Sequence, residues 1–273
     1  VTDFKYEERI DGAKEAIKRS RSVFLILTIV SVALLIAAWN AYFSWTREIP
    51  LRLHSFPTDE VAAHAQRHLI DEWVSSQMIG IPLLGIRVGV GDAAPLGGLS
   101  VLILTIWFYF ATRLENRAIG ELLIDTLDET TEVKSRIFHS ISSYLVFITI
   151  ATSDLPISSL RAPAQTLKPF GALRAMVKIL AFLAPFAILV IVACDTATIF
   201  WLKSPYRAGH LPLIKQGDIS LYSWVEWGSI ELIALTFAGF AAFLCVKSLG
   251  FTHATANILD EYSKLVRGAA HRE

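Results

Sequence analysis

Cysteine is almost missing from this chain. Its two, Cys194 and Cys245, each stand inside an apolar run with no second cysteine nearby. That excludes a disulfide framework and any Cys-x-x-Cys redox or metal motif, and both read as small core hydrophobes. Charge is scarce as well: Asp, Glu, Lys and Arg make up 18% of the residues against 53% hydrophobic ones, and 25 cations balance 25 acids. A net charge of zero leaves no polybasic footprint, so nucleic acid is excluded as a partner. The sequence signatures of catalysis are absent too: no nucleophile elbow, zincin helix, Walker loop or kinase motif. No histidine falls in an uncharged run long enough to cross a bilayer, which argues against axial ligation of a haem. Neither a cofactor nor an enzymatic activity is expected.

Apolar runs are what the chain has in abundance. A mean hydropathy of +0.49 is too high for a soluble domain of this size. Four stretches predict transmembrane helices: 23–45, 93–112, 175–202 and 228–249. The first two carry no charge, the third carries Lys178 and Asp195, and the fourth carries Glu231 and Lys247. Each meets the roughly 20 residues that a helix needs to cross about 30 Å of hydrocarbon. Pro185 is a kink candidate in the third.

Lysine and arginine set the expected orientation. The segments 1–22, 113–174 and the end of the chain from Lys247 hold seventeen of them, against seven in 46–92 and 203–227. The positive-inside rule then puts both termini in the cytoplasm. Trp45, Trp201, Trp224 and Trp227 mark the outer ends of spans, as an interfacial belt does. The first span reads as an anchor, not a cleaved signal.

Outside the spans the pattern predicts folded parts. In 46–92, "IPLRLH" alternates as a strand does. "TDEVAAHAQRHLIDEWVSSQ" opens with Thr58 as a helix cap, and Ile86, Val88 and Val90 alternate again. This strand, helix and strand predict an outer α+β cap. Asp92 caps the second span, with Pro95 in its first turn. Gln216-Gly217-Asp218, in 203–227, resembles a hairpin turn. Residues 1–22 predict an amphipathic helix with Phe4, Ile10 and Ile17 on one stripe. The second span continues as a helix through "RLENRAIGELLIDTLDETTEV", and 250–273 form a helical tail with Ile258, Leu259, Tyr262, Leu265 and Val266 on one face. "RIFHSISSYLVFITIATSDLP" fits either a buried strand or a half-embedded helix.

Three groups of residues stand out as candidate sites. Asn40, Asp195 and Glu231 lie at similar depth, about 6–9 Å below Trp45, Trp201 and Trp227 by helical rise. Converging, they have the chemistry to bind a cation or share a proton; apart, each simply bonds to a neighbouring helix or reaches the headgroups. His64 and His68 share a helical face that Glu72 extends, which is divalent-metal spacing and equally the pattern of a solvated face. Ala33, Ala37 and Ala41, and Ala234, Ala238 and Ala242, recur every fourth position, as helix-packing stripes do. Gly85, Gly89 and Gly91 form no phosphate loop and suit a bent strand.

The stretch "IPLLGIRVGVGDAAPLGGLSVLILTIWFYF" followed by "ENRAIGELL" resembles uncharacterised bacterial four-span inner-membrane proteins. Its Pro-Leu-Leu-Gly strand running into a span is similar to the membrane region of pentapeptide-repeat proteins, although no pentapeptide repeats follow. The resemblance covers about a sixth of the chain. It implies no activity and carries over no site residue. The fold class expected is an α-helical integral membrane protein of four transmembrane helices, with a small extracytoplasmic α+β cap and cytoplasmic amphipathic helices. The expected role is a non-catalytic scaffold, assembly or accessory subunit of the cell inner membrane. Its expected partners are the lipid bilayer and other membrane subunits or further copies of itself. An ion channel, stator or ion-coupled transporter using membrane carboxylates is one alternative, and a sensor with a ligand- or metal-binding outer cap is another.

Overall fold

The computed structural model describes residues 3–43, 78–81, 86–89, 93–142, 144, 171–203 and 221–270. Those residues are almost entirely helical. They form α1 (Asp3–Phe43), β1 (Met78–Ile81), β2 (Ile86–Gly89), α2 (Ala93–Asp125), α3 (Thr131–Ser142), α4 (Gly171–Ala181), α5 (Leu183–Lys203) and α6 (Leu221–Ala270).

Helices α1, α2 and α6 have 41, 33 and 50 residues. That is about 60, 50 and 75 Å of helix at about 1.5 Å per residue. All three are long and apolar enough to cross a membrane. Only about 20 residues are needed for that, so each helix runs on well past its apolar stretch. The predicted tail helices 1–22 and 250–273 are therefore parts of α1 and α6. At 22, 112 and 249 the side chains change character while the backbone continues. The predicted extension of the second span stops at Asp125, short of the expected end near Val133.

These helices are apolar on nearly every side yet mostly uncovered. Of the most apolar 18-residue stretch in α1, α2 and α6, only 28%, 44% and 33% is buried. Large side chains such as Ile36, Trp39, Ile103, Phe110, Leu232 and Phe243 stand on the outer faces. Water is a poor solvent for such faces, whereas hydrocarbon is a good one.

The third predicted span, 175–202, is not one helix. Phe182 turns between α4 and α5, its N–H reaching the carbonyls of Lys178 and Ile179 at 3.3 and 3.0 Å. Pro185 supplies the cause, because it has no N–H for the Ala181 carbonyl and its ring crowds that oxygen. Within α5 the apolar stretch described is Leu183–Cys194. Three helices, and not the expected four, thus meet the length and apolarity needed for a crossing among the described residues.

Two compact units are present. The first takes residues from Val1–Thr28, Leu104–Leu183 and Ala242–Glu273. Its core joins Tyr6, Ala13 and Ile17 of α1, Ile119, Leu122 and Leu123 of α2, Ile137 and Ile141 of α3, and Ala256, Leu259 and Tyr262 of α6. Helix α3 begins where the Thr130 carbonyl accepts the Lys134 N–H at 3.0 Å, with Glu132 in its first turn and His139 in its last, as the helix dipole favours. Val133, Ile137 and Ile141, spaced four apart, turn towards the core. On α6 the face departs from expectation: Leu259 and Tyr262 are buried and Val266 packs against them, whereas Ile258 and Leu265 are exposed. On α1, Ile17 is buried and Ile10 packs against the core, and Tyr6 and Ala13 join them.

The second unit takes residues from Ile29–Ile103 and Ala184–Ala241. Its strands pair antiparallel, with Met78 opposite Gly89 and Ile81 opposite Ile86. Thus β2 begins where Ile86 was expected to begin a strand, and the partner is a segment just before it in the chain. The predicted strand at "IPLRLH", the helix from Thr58, the Asp92 cap, the turn near Gly217 and the segment 145–170 lie outside the described residues.

Candidate functional site

The middle of helix α6 carries a buried stripe among its described side chains. Glu231, Ala234, Ala238, Ala241, Cys245 and Ser248 follow one another at alternating steps of three and four, and all are buried. That spacing keeps one face towards neighbouring helices, and side chains this small let backbones come close. Ala242 lies beside the stripe and is half-buried. On α1, Ala33 is exposed, Ala37 is half-buried and Ala38 is the buried alanine. The Ala41 side chain lies outside the described residues.

The close approach is clearest at Gly97 and Gly98 of α2, in the second unit. A Cβ at Gly97 would lie 3.1 Å from Leu34 Cδ2 of α1, and one at Gly98 would lie 3.4 Å from Phe237 Cδ2 of α6 and 3.7 Å from Ile188 of α5. At this glycine pair α2 meets three helices within one turn. In the sequence, "PLGGLS" at the start of an apolar helix is the signal for this pair.

The expected polar trio is distributed as follows. Glu231 is 5% exposed on α6, and Asn40 is exposed on α1. Asp195 lies on α5 with its side chain outside the described residues, as do His64, His68 and Glu72 altogether. Among the described residues no group of three or more His, Cys, Asp or Glu is placed to hold a metal ion.

In the first unit, polar side chains tie the helices together. The Tyr6 hydroxyl donates to Glu129 Oε1 at 2.6 Å, and Asn116 Nδ2 donates to Thr255 Oγ1 at 2.9 Å. Thr126 Oγ1 lies 2.8 Å from the Tyr262 hydroxyl, whose ring stacks on Phe138 with centroids 6.5 Å apart. Arg9 pairs with Asp125. Phe24 meets Phe108 at 5.6 Å, and Tyr109 meets Phe251 at 5.7 Å. These contacts run α1 antiparallel to α2, and α2 parallel to α6.

A groove of about 380 Å³ opens between α1 and α3, lined by Tyr6, Glu7, Asp11, Lys14, Glu129, Glu132 and Arg136 among others. Within it the Tyr6 hydroxyl meets Glu129 and Lys14 pairs with Asp11 at 3.1 Å. Chemically the arrangement is a set of helix-to-helix clasps around a polar cleft. A comparison with protein-family models, with curated proteins and with solved structures finds no match to this chain.

Proposed function

We propose that the chain is a multi-pass inner-membrane protein acting as a scaffold, assembly or accessory subunit of a larger membrane complex. One observation carries this reading. Three helices that are apolar enough for lipid run on, unbroken, into a clasped helical bundle. Such a part transmits position between a bilayer and whatever docks outside it. The proposed topology has four crossings, with α4 and α5 supplying the third across the Phe182 turn, and both termini in the cytoplasm. The Lys and Arg distribution supports that orientation. An α+β cap on the outer side completes the proposal.

Purification of the tagged full chain in mild detergent tests it. A membrane protein co-migrating in fixed stoichiometry, or a discrete homo-oligomer, is the expected result. A lone monomer whose deletion leaves every membrane complex intact contradicts it.

A second reading, an ion channel, stator or ion-coupled transporter, is favoured by the burial of Glu231 within an apolar helix. Ion flux in proteoliposomes that is abolished by Glu231→Gln or Asp195→Asn selects this reading over the first.

A further inference from the structure

Two surfaces of the first unit carry opposite charge in matching order. One is the groove between α1 and α3. Glu7 on one wall and Glu132 on the other line it, Ile10 and Val133 are apolar parts of its lining, and Lys14 lies farther along α1, towards the apolar stretch. The other surface is the outer face of α6. Ile258, Glu261 and Leu265, spaced three and four apart, share that face, and Lys264 stands at its edge. All four are exposed. Here the acid lies nearer the apolar stretch and the cation farther from it, the reverse of the order in the groove. Ile258 and Leu265 lie about 14 and 24 Å past Leu249 by helical rise. That is beyond a headgroup layer of about 5–8 Å, so lipid does not cover them.

Contacts between the helices set the heights of these groups. Arg9 pairs with Asp125, and Thr126 meets Tyr262, so Arg9 and Tyr262 stand at about one level. Helix α1 runs towards its apolar stretch and α6 away from its own. Glu7 and Lys264 therefore both stand about 3 Å farther from those stretches than that level. Lys14 and Glu261 stand about 7 and 2 Å nearer, a difference that a lysine side chain spans.

We propose that the groove receives the outer α6 face of a second copy of this chain. Copies in one bilayer share direction and depth, so groups at one height in a copy stand at the same height in its neighbour. Lys264 of one copy then meets Glu7 and Glu132 of the next, Glu261 meets Lys14, and Ile258 and Leu265 turn to the apolar lining. Within a copy Lys264 is paired with Asp260 at 2.8 Å and Lys14 with Asp11 at 3.1 Å, each on its own helix. Such local pairs are weak in water, and the three donors of a lysine serve a second carboxylate as well. The two surfaces differ, so the contact is heterologous: each copy offers a groove and a face to the next, and the assembly grows as a ring or a row. The proposal rests on the membrane reading above and names the surfaces by which the chain assembles with itself.

The test uses the full chain in phospholipid vesicles at low protein-to-lipid ratio, in a Cys194→Ala/Cys245→Ala background, with a short bis-maleimide as cross-linker. Asp11→Cys/Glu261→Cys puts one thiol in the groove and one on the α6 face at nearly one height. It is expected to give a ladder of dimer, trimer and larger species, whereas Asp11→Cys alone and Glu261→Cys alone give none. With Glu261 replaced, the yield depends on Glu7 and Lys264. Adding Glu7→Lys or Lys264→Glu is expected to lower it by up to about fivefold, the scale of one exposed ion pair, and adding both to restore it. No ladder, a ladder from either single variant, or reversals that leave the yield unchanged overturn the proposal. A chain that resists carbonate washing and gives no ladder defeats this inference alone; a chain that washes off the vesicles defeats the membrane reading with it.

Discussion

The hydroxyls of Thr126 and Tyr262 meet at 2.8 Å in the core of the first unit, 136 residues apart in the chain. Thr126 Oγ1 also lies 3.1 and 3.0 Å from the carbonyls of Leu122 and Leu123. A hydroxyl has one proton, so Thr126 donates to the backbone and Tyr262 donates to Thr126. Direction matters for mutants. Tyr262→Phe removes a donor and strands nothing, costing about 1 kcal/mol, whereas Thr126→Val leaves the buried Tyr262 hydroxyl without its acceptor, costing about 1–3 kcal/mol. Thermal unfolding of the detergent-purified protein is expected to rank Thr126→Val below Tyr262→Phe. The reverse ranking contradicts this donor assignment.

At Gly97 and Gly98 the expected outcome depends on size. The neighbour nearest a Cβ at Gly97 is the flexible end of Leu34, and at Gly98 the nearest contact is at 3.4 Å, close to an ordinary van der Waals distance. Alanine at either site is therefore expected to be neutral, or to stabilise by up to about 1 kcal/mol through helix propensity. Leucine at either site overpacks the meeting point and is expected to cost about 1–3 kcal/mol. Melting temperatures of Gly98→Ala and Gly98→Leu check both halves of the claim.

The Arg9–Asp125 pair is 57% and 43% exposed. Solvent screening holds such a pair to about 0–1 kcal/mol, so Asp125→Asn is expected to shift stability little. Tyr262→Ala removes a ring that is 3% exposed and stacked on Phe138, and is expected to cost about 3–5 kcal/mol. Limited proteolysis of the bundle reads the difference directly, with Tyr262→Ala cleaved far sooner than Asp125→Asn.

Asn116 and Thr255 lie beside the apolar stretches and are joined at 2.9 Å. Their coupling in a double-mutant cycle of Asn116→Leu and Thr255→Val is expected to be about 0.5–1.5 kcal/mol. A coupling of zero means that the hydrogen bond contributes nothing in solution.

The existence of α1, α2 and α6 was legible because long apolar runs such as 23–45 suit a helix that hydrocarbon or other protein covers. Their full length was legible in part: the run of α2 past Arg113 was expected, although it ends at Asp125 and not near Val133, whereas for α1 and α6 the change of composition near Lys18–Arg21 and Lys247 hides that a single helix continues through it. Helix α6 shows why the tail face was drawn too wide. At about 100° per residue, Ile258 and Leu265 sit at one edge of the apolar arc, and the neighbouring helices cover the sector of Thr255, Ala256, Leu259, Tyr262 and Ser263. Asp195 and Glu231 were legible as unusual, since carboxylates in apolar runs are rare. What each touches depends on the packing of helices far apart in sequence. Gly97 and Gly98 were overlooked for a related reason: a missing side chain announces no partner until the neighbours Leu34 and Phe237 are in place.

The account depends most on lipid being the solvent of these helices, and site-directed labelling tests that most directly. In a Cys194→Ala/Cys245→Ala background, single cysteines replace Glu8, Arg52, Glu132, Arg207 or Glu261, and intact cells meet a membrane-impermeant maleimide. Arg52→Cys and Arg207→Cys are predicted to react in intact cells, and Glu8→Cys, Glu132→Cys and Glu261→Cys only after the membrane is opened. Reaction of Glu8→Cys and Arg52→Cys from the same side contradicts the account.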